Sequence, residues 1–171
     1  MKMSKKTTKL LTIINVQQIV TYGICLILFV RYAIENILGE KNIIFTFTLI
    51  FLIALSAYLI YLNTFLIFKR EKSNSFILII AWLNFLQIFF VSLMGFNYFL
   101  ALGVVIMPYF NYTEAMTFGV HLGVFNTDFS FYYKYEDKIA IGINIIPLII
   151  FIVLSRIREK IIIEEYVNQI E

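Results

Sequence analysis

Four long stretches without a charged side chain constrain this chain more than any other feature of its sequence. They run from Leu10 to Val30, from Ile43 to Phe68, from Phe76 to Met107 and from Ile139 to Ser155. A helix needs about 20 predominantly apolar residues to cross the hydrocarbon core of a bilayer. The four stretches therefore predict four transmembrane helices.

The composition agrees with a lipid environment. Hydrophobic residues make up 61% of the 171 residues and charged residues only 15%, whereas soluble domains are about 45–50% apolar and about 25% charged. A chain of this size cannot hide the excess in one core, because most of its surface must face a solvent. This indicates an integral membrane protein and excludes a soluble enzyme, a disordered chain and a nucleic-acid-binding domain.

The predicted fold class is an all-α integral membrane protein, a four-transmembrane-helix bundle with a small extracytoplasmic β-hairpin between helices 3 and 4. The whole chain, 1–171, is predicted to form a single membrane domain. The predicted segments are spans at approximately 10–30, 43–68, 76–107 and 139–155, an outer loop at 108–138 and a cytoplasmic tail helix at 156–171. The third span is too long for one straight crossing, so its outer end is expected either to tilt or to bend before Pro108.

The distribution of lysine and arginine predicts the orientation of these spans. Cytoplasmic loops of membrane proteins carry an excess of the two residues. Ten of them fall on one predicted side: Lys2, Lys5, Lys6, Lys9, Lys69, Arg70, Lys72, Arg156, Arg158 and Lys160. The other side carries four: Arg31, Lys41, Lys134 and Lys138. Both termini are therefore expected in the cytoplasm, with the chain in the plasma (inner) membrane. The abundance of Ile, Phe, Asn, Lys and Tyr is typical of an AT-rich bacterial coding bias.

The loop before the fourth span carries a strand-like alternation of side chains. Val120–Phe125 and Phe129–Tyr135 each alternate with period two, which is typical of half-buried strands. Because the polar segment from Asn126 to Asp128 lies between them, we expect an antiparallel hairpin that turns there. His121, Asn126 and Asp128 are the candidate functional residues of this outer hairpin. His121 is the only histidine, and a metal site needs three or four ligands, so no metal is expected.

Carboxamide and hydroxyl side chains recur inside the predicted spans, in their cytoplasmic halves. These residues are Asn15, Gln18, Asn63, Thr64, Asn84 and Gln87. Buried amides in lipid need partners, so the layer predicts hydrogen bonds between helices. The alternative is a polar cavity that opens to the cytoplasm. Asn144 and Pro147 lie at another depth, where a local kink is expected.

Arg31 and Glu35 lie four residues apart at the outer end of the first predicted span. This spacing brings two side chains together on a helix. An interfacial pair with Arg31 reaching toward the headgroups is the expected arrangement, and an ion gate is the alternative.

The sequence offers no catalytic residues, no cofactor-binding motif and no disulfide, since Cys25 is the only cysteine. We therefore predict a non-enzymatic subunit of a membrane-associated complex. Its predicted partners are the lipid bilayer and either further copies of itself, as a homo-oligomer, or other membrane or cytoplasmic proteins, with no nucleic acid. One alternative is an oligomeric pore with a cytoplasm-facing polar vestibule. A second alternative is a membrane enzyme that acts on a lipid through His121 and the outer carboxylates.

Overall fold

The computed structural model describes residues 5–39, 43–68, 73–93, 96–112, 116–131 and 139–170. The chain divides into two compact units, Met1–Phe76 and Ile77–Glu171. The described part of the first unit is almost entirely helical. The second contains a four-stranded antiparallel sheet between helical segments.

The first unit consists mainly of two long helices packed on each other, α1 (Lys5–Leu38) and α2 (Ile43–Phe68). Their buried residues alternate at spacings of three and four. In α1 these residues include Asn15, Gln18, Tyr22, Cys25 and Phe29; in α2 they include Leu49, Leu52, Ser56, Leu59, Asn63 and Leu66. This is the heptad spacing that keeps one seam of a helix facing a partner helix.

The outward faces of α1 and α2 are apolar. Large exposed side chains include Ile13, Val20, Ile24, Ile27 and Ile34 in α1, and Phe47, Ile50, Phe51 and Tyr61 in α2. Within the described chain, α1 and α2 are the two helices long and apolar enough to cross a membrane, over Lys6–Glu35 and Thr46–Phe68. Lipid is the solvent that such faces prefer.

The second unit is built around the four-stranded sheet. Its elements are α3 (Ser73–Leu86), which begins before the unit boundary, β1 (Phe89–Leu93), β2 (Phe96–Tyr112), β3 (Met116–Phe131), β4 (Ile139–Ile143) and α4 (Ile145–Ile170). The strand order is β1-β4-β2-β3, and β1 also pairs with β2.

The predicted all-α four-span bundle is therefore wrong. The third predicted span, 76–107, is helical only as far as Leu86 and continues as β1 and most of β2, and the fourth, 139–155, begins as β4. An uncharged apolar run has no period that separates a buried helix from a buried strand. The local composition favours the strand here, because Phe89–Tyr112 is rich in phenylalanine, tyrosine and valine.

The predicted outer hairpin is also wrong in its pairing. Residues 116–131 form one continuous strand that passes straight through Asn126–Asp128, and its partner is β2 rather than a neighbouring segment. Residues 132–135 of the predicted second strand lie outside the described residues. The period-two pattern did predict extended backbone, but the polar tripeptide lacks the glycine that tight hairpin turns favour.

Strand β2 turns back on itself. Its first part, Phe96–Phe99, runs antiparallel to β1, and its last part, Tyr109–Tyr112, runs antiparallel to β4. However, β1 and β4 are also antiparallel to each other. A straight β2 cannot satisfy all three pairings, so the strand reverses its direction between these two parts.

A β-bulge lies within the reversing segment of β2. Leu102 and Gly103 together oppose the single residue Phe125 of β3. Such bulges bend the bulged strand and increase its twist. The bend closes β1, β2 and β4 into a ring around a small core of Phe99, Ala101, Val105 and Met107, with Phe90 packed against it.

Candidate functional site

Two buried carboxamides fill the gap that the bend leaves along one edge of β2. Between its pairings with β1 and β4, this edge has no strand beside it. The backbone N–H of Leu102 donates to Oε1 of Gln87 at 2.9 Å, and that of Ile106 donates to Oδ1 of Asn144 at 3.3 Å. These two side chains therefore replace the missing ladder hydrogen bonds, which buried amides require.

Both carboxamides are held at the ends of helices. Gln87 follows the last residue of α3 and donates from Nε2 to the carbonyl of Leu83 at 3.1 Å. Asn144 lies between β4 and α4, where its backbone N–H donates to the carbonyl of Ile88 at 2.7 Å. The predicted kink at Asn144 is thus a junction between a strand and a helix. Pro147 falls in the first turn of α4, where proline is tolerated.

Tyr98 adds a third link between the sheet and the end of α3. Its hydroxyl donates to the carbonyl of Leu86 at 2.6 Å. Burial raises the pKa of Tyr98, because the phenolate would lose hydration there. The hydroxyl therefore remains a donor at neutral pH.

One face of the sheet is entirely without charge and largely open. Side chains of directly paired residues lie on the same face of a sheet. The pairings Phe118↔Phe110↔Ile141↔Val91 form one row across all four strands, and Met116↔Tyr112↔Ile139↔Leu93 form the next. We call this surface the apolar face; its residues are Phe89, Val91, Leu93, Val104, Ile106, Pro108, Phe110, Tyr112, Met116, Phe118, Val120, Leu122, Ile139, Ile141 and Ile143.

On the opposite face of the sheet, side chains of one strand pack on the backbone of the neighbouring strands. A Cβ atom added at Gly119 would come within 2.7 Å of the Tyr109 ring, and one at Gly142 within 2.9 Å of Met107. These glycines therefore let the neighbouring side chains lie flat across the strands. Met107 and Ala140 are buried on this side. Among the described residues of the sheet, the large exposed apolar side chains of β3 therefore lie on the apolar face.

Strand β3 presents a free backbone edge. Ile106 donates its N–H away from β3, to Asn144, so Ile106↔Leu122 is a non-hydrogen-bonded pair of the β2–β3 ladder. Bonded and non-bonded pairs alternate along an antiparallel ladder. The N–H and C=O groups of Met116, Phe118, Val120 and Leu122 therefore point away from β2. We call these groups the outer edge of β3.

The polar residues predicted to form one layer fall into both units. Asn15, Gln18, Asn63 and Thr64 belong to the first unit, and Asn84 and Gln87 to the second. All except Thr64, which is half-buried, are buried. Asn63 and Asn84 each donate to the carbonyl four residues earlier in their own helix, Leu59 and Ile80, at 2.8 Å.

In the first unit, polar residues of α1 and α2 lie at matching levels of the seam. Gln18 is 20 residues before the end of α1 and Asn63 is 20 residues after the start of α2; Cys25 and Ser56 are each 13 residues from the same ends. Antiparallel helices joined by a short connection face each other at equal distances from it. Among the described residues, Oδ1 of Asn63 is buried without a hydrogen-bond partner.

Replacing Asn63 with leucine should leave the protein as stable as before or raise its unfolding temperature. The amide already satisfies its donor within α2, while its buried oxygen carries a desolvation cost that leucine removes. Hydrogen bonds between helices in membranes average only about 0.6 kcal/mol, so little is lost. Thermal unfolding in mild detergent measures the effect. A drop in unfolding temperature for Asn63→Leu would mean that the oxygen has a partner that matters.

Arg31 and Glu35 form an ion pair on α1, with Arg31 Nε 2.8 Å from Glu35 Oε1. Both side chains are mostly exposed, at 72% and 52%. An exposed pair of this kind is screened by water and salt. It therefore gives no sign of a buried gate.

The predicted hairpin residues lie apart along β3. His121 pairs with Met107, Asn126 with Ala101 and Asp128 with Phe99. The His121 ring stands edge-on to the Phe99 ring, with their centroids 6.4 Å apart. Within the described ranges, no group of three or more His, Cys, Asp or Glu side chains is placed to hold a metal ion.

Sequence reasoning missed the two features that dominate this site, the apolar face and the carboxamides Gln87 and Asn144 acting on β2. The signal for the face was present in the alternation of Met116, Phe118, Val120 and Leu122 with Thr117, Gly119, His121 and Gly123. Comparison with known protein families, characterised proteins and solved structures finds no match for this chain.

Proposed function

We propose that this protein is a non-enzymatic subunit of a membrane-associated complex. In this proposal α1 and α2 anchor the chain in the bilayer, and the apolar face of the sheet binds the rest of the complex. The support for the anchor is the length and apolar outer surface of the two helices. The support for the binding surface is its size and its lack of charge.

The open area of the apolar face carries the proposal. Met116, Phe118, Val120 and Leu122 are 71%, 74%, 57% and 71% exposed. At roughly 150–200 Å² per large apolar side chain, these four alone present about 400–500 Å². Monomeric proteins seldom expose apolar patches larger than a few hundred Å², and larger ones mark interaction sites. The remaining exposed residues of the face extend the patch across β2, β4 and β1.

The charge distribution supports an orientation for the anchor in the plasma (inner) membrane. Seven basic residues flank α1 and α2 on the side of the N-terminus: Lys2, Lys5, Lys6, Lys9, Lys69, Arg70 and Lys72. On the other side are Arg31 and Lys41. The excess favours a cytoplasmic N-terminus. With two spans, the chain after Lys72, including the C-terminus, follows on the same side.

A photo-cross-linking experiment tests whether the apolar face binds protein. Phe110 is replaced by a photoreactive phenylalanine analogue in the full-length chain, and membranes are irradiated before solubilisation. Because Phe110 lies in the middle of the apolar face and is partly exposed, we expect a cross-linked protein product. The matched control carries the analogue at Tyr109, the adjacent residue on the packed face, and should give far less product. Adducts with lipid alone at position 110, or equal products at both positions, would contradict the proposal.

The polar seam of the first unit bears on the pore alternative. A vestibule requires polar side chains that reach water, whereas Asn15 and Asn63 are 1% and 0% exposed. These burial values favour the subunit over the pore. Conductance measured in liposomes containing the purified chain separates the two, since a subunit of the proposed kind gives none.

A further inference from the structure

We propose that two copies of this chain pair through the outer edge of β3, strand against strand and antiparallel, about a two-fold axis. The inference rests on the proposed function, in which the chain acts as a subunit, and it names a second copy as one of its partners. It concerns the backbone edge of the sheet, whereas the proposed binding surface is the side-chain face.

The outer edge of β3 lacks the partners that a strand edge requires. The backbone groups of Met116, Phe118, Val120 and Leu122 point away from β2, and β3 is the last strand in the sheet order. A long edge of this kind is a template for pairing with another chain. Where such an edge lies close to lipid, the need is stronger, because open sheet edges are not tolerated in hydrocarbon.

The ring of strands explains why the partner is a second β3. β1 pairs with both β2 and β4, β4 pairs with both β1 and β2, and β2 has β3 on one side and β1, Gln87, Asn144 and β4 on the other. Over the residues that the structure describes, β3 therefore offers the one free strand edge. A second copy can meet it only with its own β3. Such an interface uses the same surface twice, so it closes as a dimer and does not extend into a fibre.

The part of β3 that forms the outer edge, Met116–Leu122, contains none of the features that keep strand edges apart. Natural edge strands are protected by lysine, by proline or by inward-pointing charges. From Met116 to Phe131 there is no Lys, Arg, Glu or Pro, and Asp128 is the one acidic residue. Every second residue from Met116 to Leu122 is large and apolar instead. Pairing two such edges places the two apolar faces side by side as one surface.

One register pairs all four outward-pointing residues. With the two-fold axis at Gly119, Met116 lies opposite Leu122 of the second copy, and Phe118 lies opposite Val120. In both pairs, the N–H and C=O groups of each residue point toward the residue opposite, as the hydrogen-bonded pairs of an antiparallel ladder require. The opposed side chains are then close enough for cross-linking, since directly paired Cβ atoms lie about 4.5–5.5 Å apart.

Disulfide cross-linking between differently tagged copies tests this arrangement. The single native cysteine is replaced (Cys25→Ser), and two full-length variants, Phe118→Cys and Val120→Cys, are produced together and oxidised in membranes. We expect the mixed dimer 118–120 to form at least about threefold more efficiently than either 118–118 or 120–120, because only the mixed pair is directly opposed. Equal efficiency for all three combinations would indicate face-to-face packing and would overturn the edge pairing. Absence of cross-linking in all three would overturn it as well, and would indicate an edge that faces lipid headgroups or another protein.

A proline substitution tests the role of the backbone. Val120 directs its N–H away from β2, so Val120→Pro removes an outward donor without breaking the β2–β3 ladder. The self-association constant should fall about tenfold or more, the factor for a lost hydrogen bond worth about 1.4 kcal/mol. Val120→Ala keeps the N–H and is the matched control. An unchanged dimer in Val120→Pro contradicts the proposal; retained Trp82 fluorescence and an unchanged far-ultraviolet circular dichroism spectrum confirm that the variant is folded.

A third variant separates this inference from the proposed function. Ile141 lies on the apolar face in β4, away from the outer edge of β3. Ile141→Lys should reduce photo-cross-linking from position 110 and leave the 118–120 disulfide intact. Weaker self-association in Val120→Pro, together with unchanged photo-cross-linking in Ile141→Lys, would support the dimer while contradicting the apolar face as the binding surface.

Discussion

Replacing Gln87 and Asn144 together with leucine is expected to unfold the sheet. Each substitution removes the acceptor of one backbone N–H of β2, that of Leu102 or that of Ile106. A buried N–H left without a partner costs about 1–3 kcal/mol. The pair thus costs about 2–6 kcal/mol, a large part of the 5–15 kcal/mol that stabilises a typical domain. The second unit should lose its cooperative unfolding in the double variant. Each single variant should lower the midpoint of thermal unfolding by about 4–8 °C for each kcal/mol of stability that it removes.

Tryptophan fluorescence during thermal unfolding measures this loss. Trp82 is the only tryptophan, and it lies on α3, where its ring meets Phe85 edge-on at 5.3 Å. Asn144→Asp is the matched control, because it keeps the acceptor oxygen and places a negative charge at the start of α4, which the N-terminus of a helix favours. Asn63→Leu, the same change at a buried amide of α2, controls for the loss of polarity. Equal stability of Asn144→Leu and Asn144→Asp would show that the side-chain hydrogen bond to β2 is unimportant.

The sequence predicted the first unit well because a helix pair has a local signature. Ile43 to Phe68 is both the predicted span and the observed α2. Tyr22, Cys25 and Phe29 also lie on the seam at heptad spacing, so the pairing of α1 and α2 is readable from residues close together in the chain. The contact between α1 and α2 depends on the short connection between the two helices and on the heptad spacing of their buried residues. Both features can be seen in the sequence without knowledge of the rest of the fold.

The second unit was predicted poorly because its structure depends on distant residues. Phe76–Met107 has no charge to mark a boundary, so hydropathy alone joins α3, β1 and β2 into one span. What divides this run is pairing: β1 bonds to β4 about fifty residues later, and the two ends of β2 bond to β1 and to β4. Pairing between distant segments overrides local propensity and is not visible in a single window of sequence.

The candidate site was missed for a related reason. The sequence shows Gln87 and Asn144 as polar residues in apolar surroundings, and it predicts side-chain partners in other helices for Gln87 and a local kink at Asn144. Their partners instead are backbone groups of Leu102 and Ile106. These groups need a partner only because β2 bends and leaves part of one edge uncovered. The role of the two carboxamides therefore follows from the bend of β2 and not from the amino-acid composition.

The location of the sheet relative to the membrane can be tested with topology reporters. A reporter that is active only in the cytoplasm is inserted at one of three places: at Lys41 between α1 and α2, after Lys72, or between Tyr112 and Met116 at the connection of β2 and β3. With α1 and α2 as the membrane anchor, Lys41 lies outside, and everything after Phe68 shares the side of the N-terminus. The basic residues that flank the two helices favour the cytoplasm for that side.

The insertion between Tyr112 and Met116 is the most direct test. A chain with four spans would place residues 113–115 outside and silence the reporter there, while leaving the reporter after Lys72 active. A chain anchored by α1 and α2 gives activity at both positions and none at Lys41. Activity between Tyr112 and Met116 is therefore the result expected from the proposed anchor of two helices, and silence there, with activity after Lys72, would contradict it.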